Sequence, residues 1–272
     1  MSLIVHQTAT GPISWPFILW DNLLARPASV LSASGTAAGS SPASVVAENT
    51  HQAWVAATVS DYLTCDFGAA QSFDTICLAG HNLAAGGASL RLAWSATGLP
   101  GSWTEATPSA IPTDAGPVAV LLGAPVSARY VKIDPTIAPL PSLPPVIAFA
   151  SVGLRVELPA WVQPDYVRAR DAVTIEGEAF QSRGGQYLGA VERRRGGRLS
   201  ADLSPVAKGL NLSGWRAHYD ARRPFFFAAS PEYLPDDLVF GWRADGAAEL
   251  RPVLIGGGAH VRFAMELDFH AP

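Results

Sequence analysis

The chain has 272 residues, 49% of them hydrophobic and only 15% charged, with 25 glycines and 22 prolines. So many helix breakers exclude a long helical bundle or coiled coil, and so much apolar surface excludes intrinsic disorder. A net charge of −4 excludes a general basic field of the kind that holds nucleic acid.

The first residues, MSLIVHQTATGP, carry no basic flank and no long apolar core. No signal peptide is expected, and no apolar run of about 18 residues follows that would cross a membrane. Folding in the cytoplasm is the expectation. Tyr62–Phe67 predicts a strand ending at Gly68, and Phe73–Leu78 a second one ending at Gly80. Ser89–Trp94, Pro117–Leu122 and Ala128–Ile133 follow as further strands. Strand signals about ten residues apart, separated by Gly, Pro and Asn, predict a β-sandwich. Asp134–Pro145 holds five prolines and reads as an extended connector into a closing strand, Val146–Val156.

The charge balance changes near residue 150. Before it lie four basic residues (Arg26, Arg91, Arg129, Lys132) against eight acidic ones; after it, 15 basic face 15 acidic. This break places two β-rich domains, at about 10–155 and about 156–272. In the second, Ala172–Glu176 is strand-like, and Gly196-Gly197 predicts a two-residue hairpin turn between Tyr187–Arg195 and Arg198–Leu203. Ser213 is placed to cap a short helix, Gly214–Arg223, with Trp215 and Tyr219 on one face and Pro224 ending it. Phe225–Phe227 and Leu238–Trp242 predict buried strands. Val261, Phe263, Met265, Leu267 and Phe269 alternate with polar or small residues, as a strand with one buried face requires.

Catalytic motifs are missing. There is no G-x-S-x-G, no P-loop and no H-E-x-x-H, and the six histidines show no metal-ligand spacing. Neither catalytic residue, metal nor cofactor is expected, so the chain is not expected to be an enzyme. Cys65 and Cys77 read as buried free thiols. Glu176 and Glu178 share a strand face, either as a solvated pair or as two acid–base carboxylates. Asp236-Asp237 reads as a loop end. Arg193, Arg194, Arg195 and Arg198 form the densest charge run: a solvated hairpin tip, or a contact for an acidic partner subunit or an anionic group. Trp54 and Trp103 fall in loops, where an indole can stack on a sugar ring with His51 nearby to hydrogen-bond. Alternatively, Trp54 packs under the sandwich as a plug.

The order Asn22-Leu-Leu-Ala, Val45–Trp54, Tyr62-Leu-Thr-Cys-Asp-Phe-Gly68, Phe73–Leu83 and Leu90–Ser95 resembles the discoidin, or coagulation factor 5/8 type C, family of galactose-binding-like domains. The resemblance covers roughly residues 15–155. It implies an all-β jelly-roll sandwich that binds ligands at rim loops. Gly80-His-Asn-Leu83 looks like versions in tail proteins of bacteriophages and gene transfer agents, with Asn82 in a left-handed turn. The helix followed by Pro224–Phe227 looks like distal-tail and minor tail proteins, which implies a smaller β-barrel-like domain with one short helix after the sandwich. These likenesses imply a structural part of a tail tip or baseplate in the virion. Its expected partners are other tail proteins and copies of itself in a trimeric or hexameric ring, with a host-surface glycan as a further contact. The alternative is a carbohydrate-binding module using His51, Trp54 and Trp103.

Overall fold

This computed structural model describes residues 2–6, 13–106, 110, 112–135, 142–162, 165–207, 212–258 and 260–270, and only the backbone of residues 161, 175, 176, 192–195, 205 and 258. The first half supplies β1 (Leu3–His6), β2 (Phe17–Leu19), β3 (Val30–Ala33), β4 (Trp54–Val55), β5 (Leu63–His81), α1 (Leu83–Gly86), β6 (Arg91–Ser95), β7 (Thr104–Glu105), β8 (Val118–Asp134) and β9 (Val146–Gly153). The second supplies β10 (Val156–Glu157), β11 (Trp161–Val162), β12 (Val173–Gln181), β13 (Tyr187–Ala207), α2 (Ser213–Asp220), β14 (Phe225–Ala228), β15 (Leu238–Arg243), β16 (Val253–Ile255) and β17 (His260–His270). The protein is mainly β, as expected: a β-sandwich and a second antiparallel sheet. No helix among the described residues is long and apolar enough to cross a membrane.

Two strands make the sandwich. The expected pair Tyr62–Phe67 and Phe73–Leu78 is one strand, β5, and Pro117–Leu122 joins Ala128–Ile133 as β8. Gly68 does not end its strand. It takes φ +76° at a register break between Asp66 and Gln71, and the chain bends and continues. The outer end of this pair (Leu63–Asp66 with Tyr130–Ile133) is flanked by β3 and β6, and the inner end (Thr75–Leu78 with Val118–Leu121) by β9 and β1. The two layers enclose Leu63, Cys65, Ile76, Leu78, Val120, Val131, Ile133 and Val152 as the sandwich core.

The inner layer is buried on its other face too. Cys77, Ala79, Ala119, Leu121 and Phe149 pack against Phe17, Leu19, Phe226, Ala228, Leu238 and Phe240 of the second sheet. That sheet runs β10-β2-β14-β15-β17-β13-β11, so the early strand β2 sits between β10 and β14. Its far face buries Ile18, Phe225, Phe227, Val239, Phe263, Met265 and Leu267 under α2. Strands covered on both faces have no polar alternation, and this explains the uninterrupted run Phe225–Ala228. β17 is covered on one face, so its predicted alternation holds: Phe263, Met265, Leu267 and Phe269 are buried between outward residues.

Several local expectations are corrected. Gly196-Gly197 is no turn but the interior of β13, paired with His270 and Phe269 of β17. A Cβ on Gly197 would lie 2.2 Å from Cζ of Phe269, so glycine is there to let that ring lie on the backbone. The hairpin turns instead between Gln181 and Tyr187, where the amides of Gly185 and Ser182 bond Ser182 and Gln186. Ser213 begins α2 rather than capping it; Leu212 holds the cap position, and the helix ends at Asp220, before Pro224. Its Trp215 and Tyr219 do share the buried face, and the Tyr219 hydroxyl donates to the Glu266 carbonyl and accepts from the Glu266 amide, both at 3.1 Å. Asn82 has φ −105° and is not left-handed; the left-handed residue is Gly80. Asp237 is no solvated loop end: it is buried and accepts from the Tyr166 hydroxyl at 2.7 Å and the Ala169 amide at 2.8 Å.

Candidate functional site

Alternation along β5 and β8 decides what faces out of the sandwich's outer layer. Leu63 and Cys65 point into the core, so Tyr62, Thr64 and Asp66 point away; Val131 and Ile133 point in, so Tyr130 and Lys132 face solvent. Three of the four basic side chains of the first half, Arg91, Arg129 and Lys132, gather on this face. The Lys132 ammonium lies 5.1 Å from the Tyr62 ring centre and 5.2 Å from that of Trp103, held between the two rings. It also lies 3.6 Å from Asp134. Arg91 reaches the same carboxylate at 2.7 Å and Glu105 at 2.7 Å. These bonds raise the Arg91 pKa, the hydrogen bond that Arg91 donates to Asp134 most of all. Beside them, Arg129 grips Asp66 with two bonds of 2.8 Å and stacks 5.1 Å from the Tyr130 ring. The guanidinium holds the Asp66 carboxyl down at about 2. The surface is a band of aromatic rings and fixed ion pairs, with Arg91, Lys132 and Glu105 partly exposed and Asp134 buried beneath them.

The predicted sugar-binding trio is not brought together. Trp103 belongs to this band. Trp54 is fully buried, its indole donating to Thr36 at 3.2 Å, which matches the core-plug alternative and leaves no face for a ligand. His51 is exposed and lines a separate pocket with Arg222, which follows α2, and Trp242 of β15. Of the arginine run, Arg198 spans the ladder to Asp268 at 3.0 Å and is not at a tip. The side chains of Arg193, Arg194 and Arg195 lie outside the described residues; their backbone is mid-ribbon, opposite β12. The Glu176 side chain also lies outside them, and a register shift follows it in the strand. Cys65 and Cys77 are buried, as expected, and burial pushes the Cys65 thiol up to about 12. No cluster of three His, Cys, Asp or Glu able to hold a metal occurs among the described residues.

Sequence reasoning missed Tyr62, Lys132, Asp134 and Arg91. The available signal was period two in Ala-Arg-Tyr-Val-Lys-Ile-Asp134, which puts Tyr130, Lys132 and Asp134 on the face turned away from the sandwich core.

Two motif residues are structural rather than exposed to a ligand. Asn22 donates to the Ala150 carbonyl at 2.8 Å and accepts from the amides of Leu24 and Val152. Asn82 likewise bonds Pro144 at 2.9 Å and Val146 at 2.8 Å. Both fasten loops to the two ends of β9. Asn82 lies within residues 30–143, which match the F5/8 type C domain, and Asn22 lies just before them.

The outer band lies within the residues that match the F5/8 type C domain. Nothing among curated protein sequences matches the chain. Among solved structures, it is similar to a GH29 fucosidase of Ruminococcus gnavus in complex with fucose (17% identity, TM-score 0.42, covering 50% of this chain and 27% of that one). It is also similar to a chitosan-binding module from Paenibacillus sp. IK-5 (18%, TM-score 0.39, 48% and 98%). A third is CpGH89CBM32-5 of Clostridium perfringens in complex with GalNAc-β-1,3-galactose (9%, TM-score 0.38, 46% and 94%). The chain thus spans about a quarter of the fucosidase's length.

Proposed function

We propose that the F5/8 type C domain is a carbohydrate-binding domain and that its sugar lies on the outer band. The observation that carries this is the Tyr62–Lys132–Trp103 stack beside the Arg91–Asp134–Glu105 ion pairs. A pyranose has an apolar face that stacks on an indole or phenol ring, and a rim of hydroxyls that need both donors and acceptors. Here both are fixed in advance by strands, so little ordering entropy opposes binding. The chain binds in this reading and performs no chemistry. Glycan-array screening of the full chain tests it, followed by calorimetry on the best ligand. Trp103→Ala is expected to weaken binding roughly tenfold or more, the cost of losing one stacked ring. His51→Ala is expected to leave it unchanged. Retention of no glycan, or equal binding by Trp103→Ala, overturns the proposal.

A structural place in a phage-type tail tip or baseplate, as a ring of copies with other tail proteins, is the second reading. What favours it is the ribbon of β12 and the outer part of β13, 187–195, whose outer edges have no strand partner among the described residues. Recovery of the chain from intact, purified particles tests it, and its absence from them overturns it.

A further inference from the structure

The ladder register lines up the side chains on the solvent face of the sandwich's outer layer. Directly paired residues share a face. One such row reads Ser32 on β3, Thr64 on β5, Lys132 on β8, Ala93 on β6 and Glu105 on β7. Neighbouring strands stand about 4.8 Å apart, so the four steps of the row span about 19 Å. Each step is close to the length of one pyranose unit, and the row is far longer than a single sugar. Its stations differ in chemistry. At the β3 end the Ser32 and Thr64 hydroxyls lie 3.2 Å apart at the surface. In the middle stands Lys132, between the rings of Tyr62 and Trp103. At the β7 end Glu105, with 45% of its side chain exposed, is held by Arg91. Ala93 is fully buried and adds no group of its own. The β3 end has no wall among the described residues: β3 pairs only with β5, and Val30, on the same face as Ser32, is exposed.

We propose that the outer band binds an internal stretch of a linear, uncharged oligosaccharide lying across the strands, and not a single terminal sugar. The inference rests on the carbohydrate reading above and adds to it the form of the ligand. A single small ligand is held in a concave site that closes around it. A chain needs a long floor, open at an end, with stacking at one station and hydrogen bonds at the others. The Tyr62 and Trp103 rings supply the stacking for one unit. Two steps away, the Ser32 and Thr64 hydroxyls can both donate to and accept from the hydroxyls of another unit, and Glu105 accepts from a unit on the other side. The ladder fixes these stations relative to one another, so each further unit meets a surface already in place. Charge decides the class of sugar. Arg91 pairs with Glu105 and Asp134, Lys132 with Asp134, and Arg129 with Asp66. A charged sugar would add an unmatched charge to pairs that already balance, whereas hydroxyls fit between them.

The test is calorimetry of the full chain with cello-, manno- and chito-oligosaccharides of one to six units, and with oligogalacturonates as the charged series. For a neutral series that binds, affinity is expected to rise at least about tenfold from one unit to three and to level off by about five. Oligogalacturonates are expected to bind more weakly at every length. Ser32→Ala with Thr64→Ala is expected to lower the affinity of the five-unit ligand about tenfold and so to flatten the rise with length. Trp103→Ala is expected to lower the affinity of every length. Should the double variant fail to fold, Ser32→Ala alone, on the edge strand, replaces it, with a loss of about threefold expected. One unit binding as tightly as five, an unchanged rise in the double variant, or a preference for oligogalacturonates would each overturn this inference. In those cases the carbohydrate reading stands as long as Trp103→Ala still weakens binding. Failure of every series to bind overturns the inference as well, and the glycan array then decides separately whether the carbohydrate reading falls with it.

Discussion

β14 and the start of β13, Tyr187–Val191, are both apolar strand segments, yet they end in opposite surroundings. Phe225 and Phe227 of β14 enter the core under α2, while Phe226 and Ala228 enter the layer shared with the sandwich. β2 and β15 close both its edges. Tyr187, Leu188 and Val191 of β13 are exposed, and this part of the strand has one neighbour among the described residues instead of two. The same residue chemistry stabilises the molecule in one place and presents a surface in the other. Position in the layer order decides which. A strand covered twice joins the two halves of the chain, and a strand covered on neither face contributes little to folding.

The sharpest test of that contrast is Phe226→Ala. The side chain is fully buried, with the Phe149 and Phe240 rings centred 5.9 and 5.0 Å away, so a cavity would open between the sheets. A loss of about 3–5 kcal/mol is expected. Urea unfolding followed by tryptophan fluorescence and by hydrogen exchange should show both sheets weakened together. If only the second sheet loses protection, the shared layer does not couple the halves.

Acid provides the next largest effect on the twice-covered side. His81 is buried at the end of β5, and neither ring nitrogen makes a hydrogen bond of good geometry. Burial pushes its pKa down to about 4, against a smaller opposing pull from the Gly116 backbone. The unfolded chain, with a pKa near 6.5, binds the proton more readily. The stability His81 contributes is therefore complete above about pH 6.5 and is lost as pH falls toward 4, by at most about 3 kcal/mol. His81→Phe should flatten the curve in that window when unfolding free energy is measured between about pH 4 and 7. An unchanged slope would show that other groups set it.

How much of this was legible in the sequence depends on how many faces each strand buries. β17 could be read residue by residue because one face is wet. Phe73–Ala79 and Phe225–Ala228 could be identified as strands but not assigned to layers, since burial on both faces erases the alternation that would orient them. Gly68 was misread as a strand end because a positive-φ glycine permits a bend as readily as a stop. Gly196-Gly197 was misread as a turn because a Gly pair signals either a turn or a close approach, and only the Phe269 ring across the sheet decides. At the candidate site, Trp103 stood out as a ring in a loop. Tyr62 and Lys132 come to it from distant strands, and no local spacing announces such a meeting. The charge break near residue 150 was visible, but nothing in it revealed that Phe17–Leu19 pairs with Phe226–Ala228.

Gly197 offers a third test, where the ribbon enters the sheet. An added methyl would meet Phe269 at 2.2 Å and the Ala172 carbonyl at 2.7 Å, and neither is a flexible side-chain end. Gly197→Ala should cost about 1–3 kcal/mol by overpacking, read as a lower denaturation midpoint with an unchanged slope. A neutral result would restore the looser geometry of a turn.

The smallest expected effect is the one most able to break the comparison. Tyr187 is 69% exposed at the start of outer β13, with only Gln181 opposite it in the ladder. Replacing it by serine removes apolar area that water already reaches, and the strand loses only a modest preference for an aromatic residue. Tyr187→Ser should change unfolding free energy by no more than about 0.5 kcal/mol, read from urea denaturation. A loss above about 1 kcal/mol would instead mean that the ribbon packs on its own molecule, and β13 would then belong with β14.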